Sequence, residues 1–238
     1  MNSPAQRQDE FARRLQRVRE RIASAAARAN RRLEEIALVA VSKTHPPEMI
    51  RTAIAAGLTD FGENRVQEAE EKVPQVGRHQ ARWHLIGHLQ SNKARRAVEL
   101  FDVIHSLDSV ALARRLNRFC LELNRRELPV LIQLDLAHEE TKSGAAESQL
   151  LEIVEVITDS DALQLVGLMV LPPFFNDLGQ MRPFFRRLRE VRDDLRARGA
   201  FGDREGELSM GMTHDYEIAI EEGATMLRIG TAIFGERN

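Results

Sequence analysis

Apolar residues in this chain fall into short blocks separated by stretches of helical period. Residues 36–41 form six apolar positions in a row. A run of that length suits a strand covered on both faces, as in a parallel sheet. Further strand blocks lie at 59–62, 81–86, 101–105, 129–136, 163–170, 207–210 and 225–229. Helical patterns fill the gaps: after Pro46-Pro47, from Arg65 to about Lys72, from Ser91, from Asp108 or Ser109 to about Asn124, and over 146–158, 180–198 and 216–222. Thr44 and Thr213 read as N-caps, and Pro46, Pro47 and Pro183 as first-turn residues. Gly57, Gly199 and Gly223 read as stops. One helix precedes the first strand. Within residues 4–30, Phe11, Leu15, Val18 and Ile22 are spaced by four, three and four, one apolar stripe on a polar helix.

Eight strands alternating with helices predict an α/β protein with a parallel sheet. Eight such units in 238 residues predict a single (β/α)8 TIM-type barrel with an extra N-terminal helix. A doubly wound open sheet is the rival. No long linker, low-complexity tract or internal repeat divides the chain. Residues 1–238 therefore read as one domain, with 1–30 the leading helix and 36–235 the barrel.

Composition narrows the function. The formal charge of −2 creates no field favouring nucleic acid or an anionic membrane. Arg13, Arg14, Arg17, Arg19 and Arg21 read as a solvated helix face. The single cysteine, Cys120, cannot form an internal disulfide and reads as core filler. No apolar run reaches membrane-spanning length, and the first residues lack the apolar core of a signal peptide. The expectation is a cytoplasmic protein.

Only four lysines occur, Lys43, Lys72, Lys93 and Lys142; the other thirty basic side chains are arginines. Lys43 closes the first strand, where α/β proteins place their chemistry. A partly desolvated amine there keeps more of its neutral, nucleophilic form, and its product with a carbonyl ligand is a Schiff base. A lysine whose head reaches solvent is the plainer reading. At the other end of the chain, Ser209-Met210-Gly211-Met212-Thr213 and Arg228-Ile229-Gly230-Thr231 end the last two strands. Barrels bind phosphate at these two loops, and Gly211, Gly230, Ser209, Thr213 and Thr231 supply the small residues and hydroxyls required. Ordinary turn chemistry would explain either loop alone. Arg228 alternates with Leu227 and Ile229, so it can point inward. Buried, it needs a partner: a ligand's pyridine nitrogen or carboxylate, Glu63 or Asp135.

Asn64, His84, His105, Ser106, Gln133 and Asp135 lie at or near other strand ends and read as lining or packing. His84 and His88 have metal-pair spacing, but a strand end at Gly87 separates them, so no metal site is expected. Neither a GxSxG elbow nor a GxGxxG fingerprint is present.

The motifs LVAVSKTHP around Lys43, FGENRVQE at 61–68, WHLIGHLQSNK at 83–93, HSLDS at 105–109, TKSG at 141–144, GLMVLPP at 167–173 and LSMGMTHDYEIAIEEGATMLRIGTAIFG at 208–235 together resemble the pyridoxal phosphate homeostasis protein family. The fold of that family is like the N-terminal barrel of alanine racemase. The resemblance implies that Lys43 forms an internal aldimine with pyridoxal 5′-phosphate and that Arg228 faces the pyridine nitrogen. It implies that Thr213, Gly230 and Thr231 cradle the phosphate with Ser209 nearby, that Asn64 lies beside the cofactor, and that Lys142 is a second lysine near the site. A guanidinium keeps its proton, so the pyridine stays a weak electron sink. Alanine racemase adds a second base, a tyrosine from a further domain. Here the barrel accounts for the whole sequence, and the sole tyrosine, Tyr216, follows the seventh strand. The implied function is a non-catalytic monomer that takes part in cofactor homeostasis, with pyridoxal-phosphate-dependent apoenzymes as candidate recipients. A racemase or lyase using this cofactor, or a Schiff-base aldolase without it, are the competing readings. Three positions depart from the family pattern: His45 replaces a common lysine, Thr213 a common serine, and FFND at 174–177 is unusually apolar.

Overall fold

The structure is a computed structural model that describes residues 4–137 and 143–236. Lys142 lies outside the described residues. Eight parallel strands close a barrel in sequence order: β1 (Ala37–Val41), β2 (Asp60–Glu63), β3 (Arg82–Leu85), β4 (Val103–Leu107), β5 (Leu128–Leu134), β6 (Leu163–Val170), β7 (Glu207–Ser209) and β8 (Met226–Ile229). Closure is made by β8 against β1, with Val39 opposite Arg228 and Ala40 opposite Ile229. The expected (β/α)8 architecture is therefore the observed one, and the open-sheet rival is excluded.

Around the barrel run α2 (Pro47–Ala55), α3 (Val66–Val76), α4 (Ala94–Leu100), α5 (Val110–Glu122), α6 (Leu150–Thr158), α7 (Arg182–Ala197), α8 (Tyr216–Glu221) and the single turn α9 (Thr231–Phe234). The leading helix α1 (Pro4–Arg28) packs on α8 and α9. Its predicted stripe is the buried one: Phe11, Leu15, Val18 and Ile22 are all in the core, and Phe11 meets Phe234 with ring centroids 5.8 Å apart. Burying each such side chain is worth roughly 1.5–3 kcal/mol. The arginine face of α1 is not uniformly solvated. Arg14 donates to Phe234 O at 3.2 Å, Arg19 to Ala56 O at 3.3 Å, and Arg21 pairs with Glu217 at 2.5 Å.

Alternation along each strand sorts the side chains. Outward residues pack against the helices in one large core. Inside, Val103, Leu131, Met169 and Met226 form a small apolar layer. Cys120 is fully buried in the outer core, and burial pushes its thiol up to about 11, as suits a filler.

Several local expectations are corrected. Thr44 does not cap α2; it sits in the preceding turn with φ +67°, and Pro46 is the N-cap. Thr213 is not the N-cap of α8; Asp215 occupies that position without a side-chain bond to the helix, and its carboxylate instead turns back to accept the Met212 N–H at 2.5 Å. The third helix does not stop near Lys72 but continues through Pro74 to Val76, burying Val73 and Val76. The fourth strand begins at Val103, so Ser106 lies within it rather than at its end. The cap at Ser109 is as expected, accepting from Leu112 N at 3.3 Å.

Candidate functional site

Closure of the barrel makes β7, β8, β1 and β2 four consecutive staves, so residues from both ends of the chain meet at one sector of the mouth. Lys43 follows β1 by two residues and opens the turn that continues to Thr44. Asn64 follows β2 by one. The register Val41 opposite Gly62, extended by the Ser42 N–H to Gly62 O bond of 3.0 Å, sets Lys43 beside Asn64. Lys43 is half-buried.

The loop after β7 lies against β8 itself. The Arg228 N–H donates to Gly211 O at 2.9 Å. Gly211 adopts φ +92°, and a Cβ there would lie 2.7 Å from the Ala219 Cβ. Any larger residue would push the turn away from α8. A Cβ on Gly230 would lie 3.2 Å from Val41 O, so this glycine lets the last loop lie close against β1. Thr231 opens the single turn α9, in which the Ile233 and Phe234 N–H groups donate to Gly230 O at 2.8 and 2.9 Å. Thr213 lies in the loop between β7 and α8, two residues before the N-cap position. His45 stacks on Phe234 at 4.9 Å, bridging the lysine turn to α9. This is what the histidine does in place of an amine.

Below the mouth, Arg228 is buried. Its two recorded side-chain bonds run to Ser209 Oγ at 2.6 Å and Val170 O at 2.8 Å. Neither acid weighed as its partner takes it. Glu63 points outward, bonded to Ser42 and Lys72, and the Asp135 carboxylate accepts from Ala137 N. No described carboxylate forms a salt bridge with Arg228. Burial pushes its guanidinium down to about 10.

Ser209 Oγ also meets His105 Nδ1 at 2.8 Å, His105 Nε2 meets His84 Nδ1 at 2.8 Å, and His84 Nε2 meets Asp60 Oδ1 at 2.9 Å. A chain of hydrogen bonds thus crosses the barrel interior from Arg228 to Asp60. Burial holds both imidazoles below their ordinary value, His105 far below, so they are neutral. With both neutral, one proton arrangement satisfies every contact. Arg228 donates to Ser209, Ser209 to His105, His105 to His84, and His84 to the Asp60 carboxylate. Burial works to raise Asp60, but its bonds from His84 and Thr59 outweigh that and leave it below its ordinary value. The sequence placed His84 and His105 at the mouth as separate lining residues. Their linkage was not legible, because it needs the cross-barrel register.

A second buried polar group was also missed. Lys72, in a helix that reads as polar, is 7% exposed and bonds Ser42 O, Glu63 and Glu68 behind the barrel wall. Its spacing of four from Glu68 was the available signal. Among the described residues no group of three metal-ligating side chains occurs, and no helix is long and apolar enough to cross a membrane.

A half-buried amine, two glycine-bearing loops and a buried arginine at the carboxyl mouth of a parallel barrel define a class of site, and comparison with known proteins defines the same class. Residues 14–238 match the family described as alanine racemase, N-terminal domain. The chain is 42% identical to the pyridoxal phosphate homeostasis protein of Aquifex aeolicus, over 94% of this chain and 97% of that one. It is 40% identical to the protein of that name from Escherichia coli, over 97% and 98%. Among solved structures, PipY of Synechococcus elongatus with PLP bound superimposes with a TM-score of 0.75 at 39% identity, covering 92% of this chain and all of that one. The chain therefore belongs to the alanine racemase N-terminal domain family and, within it, to the pyridoxal phosphate homeostasis proteins. Alanine racemase of Clostridium difficile, 15% identical with a TM-score of 0.72, shares the fold.

Proposed function

We propose that this protein binds pyridoxal 5′-phosphate covalently and reversibly through Lys43 and serves its homeostasis without turning over amino acids. The observation that carries this reading is Arg228, a buried cation inside the barrel with no described carboxylate salt-bridged to it. A buried charge left so calls for a ligand acceptor. The residues present fit the cofactor. Arg228 has five N–H groups, two of them engaged by Ser209 and Val170, and its burial directly below the mouth suits an acceptor as weak as a pyridine nitrogen. A Cβ at Gly230 would press on Val41, so this glycine lets the last loop lie against the end of β1, two residues before Lys43.

Bound pyridoxal 5′-phosphate supplies an aldehyde and an electron-withdrawing ring. Lys43 would hold the aldehyde covalently through its amine, Thr213, Gly230 and Thr231 would hold the phosphate, and Asn64 would flank the ring. Ser209 acts through Arg228, since its hydroxyl lies between that guanidinium and His105. A guanidinium of pKa about 10 keeps its proton at neutral pH, so Arg228 would face the ring nitrogen as a hydrogen-bond donor without making it cationic. That disfavours carbanion chemistry. Tyr216 is the only tyrosine. It packs in the outer core with Arg21 over its ring at 5.2 Å, on the α1 side of α8 and away from Lys43. The neutral histidines are committed to each other. This supports holding the cofactor over turning over substrate. On the same reading the chain is one cofactor-binding domain over 1–238, cytoplasmic and monomeric, with dependent apoenzymes as recipients.

The test is the absorption spectrum of the purified protein and of Lys43→Ala with added cofactor, before and after borohydride, with the modified peptide mapped. A visible band that reduction fixes onto Lys43, absent from the variant, is the expected result. A wild type that stays colourless with excess cofactor overturns the reading. Deuterium exchange at an amino acid α-carbon at enzymatic rates overturns the non-catalytic part alone.

A further inference from the structure

The turn that carries Lys43 is tied down from behind the barrel wall. Ser42 O accepts from Lys72 Nζ at 2.8 Å and from the His45 N–H at 3.0 Å. The Ser42 hydroxyl donates to Glu63 Oε1 at 2.7 Å. The same ammonium donates to Glu63 Oε1 at 3.0 Å and to Glu68 Oε1 at 2.6 Å, and Glu68 Oε1 also accepts the Thr44 N–H. The carbonyl before Lys43 is thus held by Lys72 directly, and the N–H after it is held through Glu68. Between them the backbone does something unfavourable. Thr44 is β-branched and sits at φ +67°, a conformation that persists only where the surroundings impose it.

We infer that Lys72 is a positioning residue for Lys43: its buried ammonium holds the 42–44 turn in the conformation that keeps the Lys43 amine on the inward side of the mouth. All three donors of the ammonium are occupied, and Lys72 is itself no competitor for the aldehyde. The inference rests on the assignment of Lys43 as the covalent anchor.

The electrostatics agree with a fixed post. Glu63 is fully buried, and burial raises its carboxyl against the pull of Lys72 and the Ser42 hydroxyl. At Glu68 burial again works upward, but the Lys72 and Thr44 bonds outweigh it and leave the carboxyl below its ordinary value. Glu68 therefore remains an anion at neutral pH and keeps its grip on the Thr44 N–H.

The experiment measures the rate and affinity of pyridoxal 5′-phosphate binding, and the yield of borohydride-fixed adduct at Lys43, in four variants beside the wild type. Lys72→Met removes the post. Glu68→Ala severs the Thr44 link at a partly exposed position, so it remains informative where Lys72→Met fails to fold. Lys72→Met/Glu63→Gln removes the charge imbalance without restoring the bond to Ser42. Val73→Ala, a buried α3 residue outside the cluster, is the control matched for thermal stability. Lys72→Met and Glu68→Ala are expected to slow adduct formation at least tenfold with the fold retained. The double variant should regain melting temperature but not rate, Val73→Ala should bind as the wild type does, and no variant should carry an adduct on residue 72. Wild-type rates in Glu68→Ala and in every folded Lys72 variant, or an equal loss in Val73→Ala, overturn the inference. A wild type that gives no adduct at Lys43 overturns the functional assignment instead, and the two failures are told apart by that first lane.

Discussion

Two buried polar clusters lie on opposite faces of the same part of the sheet, and they carry charge differently. Outside the wall, Lys72, Glu63 and Glu68 form a contact cluster of full charges. Inside, Arg228 and Asp60 are kept apart by a serine and two neutral imidazoles, joined only by dipoles. The outer cluster ends on the backbone around Lys43. The inner chain ends at the guanidinium proposed to meet the ring nitrogen. Contact charges suit a rigid clamp, because removing one leaves the other stranded. A chain of dipoles suits a group that must hold its charge toward a ligand, since each link polarises the next, while the buried Asp215 carboxylate acts on the guanidinium only through space, without a salt bridge.

The comparison breaks first at Lys72. Lys72→Met leaves Glu63 buried opposite no cation and should lower unfolding free energy by about 3–5 kcal/mol in urea denaturation, with Lys72→Met/Glu63→Gln recovering most of it. A single-variant loss below about 1 kcal/mol would mean that the outer cluster is not ionic. Next, His105→Leu cuts the inner chain and leaves His84 Nδ1 and the Ser209 hydroxyl without their partner, at about 1–3 kcal/mol for each group. No second substitution in the outer cluster should rescue it, and rescue would show the two clusters to be one.

The two clusters also differ in the sign of their pH response. The folded pKa of His84 and His105 is lowered, so the unfolded chain takes up protons first as pH falls below about 6.5. Stability is then lost toward acid by as much as about 1.4 kcal/mol per pH unit for each group. Glu63 runs the other way. Its folded pKa is raised, so its contribution is complete below the ordinary carboxylate value and is lost as pH rises through the folded one. Unfolding curves between pH 7.5 and 5.5 should fall with acid in the wild type and fall less in His84→Gln/His105→Gln. An unchanged slope would show the imidazoles not to be the neutral groups. The smallest effect is at the rim. Arg21→Ala, which breaks an exposed pair with Glu217, should change stability by under about 1 kcal/mol.

The inner and outer clusters mark the boundary of what the sequence made legible. Strand blocks, their number and the stripe Phe11, Leu15, Val18, Ile22 could be read because burial imposes a period on hydrophobicity. Lys43, Arg228 and the last two loops could be picked out because their type and place at strand ends carry chemistry. Partners could not. A strand buried on both faces shows no alternation, so nothing in the sequence tells that Glu63 faces outward toward Lys72 while His84 faces inward toward His105. Glu63 was accordingly considered for Arg228, from which the wall separates it. Caps failed at Thr44 and Thr213 as well. Neither helix start uses a side-chain oxygen as its cap: Pro46 and Asp215 hold the N-cap positions without a side-chain bond to the helix.

The balance of the two basic residues has a consequence for selectivity. An aldehyde condenses with amines, and a surface dressed in lysine would collect it at many places. Guanidinium groups, which make up thirty of the thirty-four basic side chains, stay protonated and are inert to that reaction. Lys72 is sealed behind the wall. A chain whose proposed cargo is an indiscriminate electrophile therefore presents it with a surface that is chemically silent almost everywhere, so one reactive amine can dominate the stoichiometry without having to be exceptionally reactive.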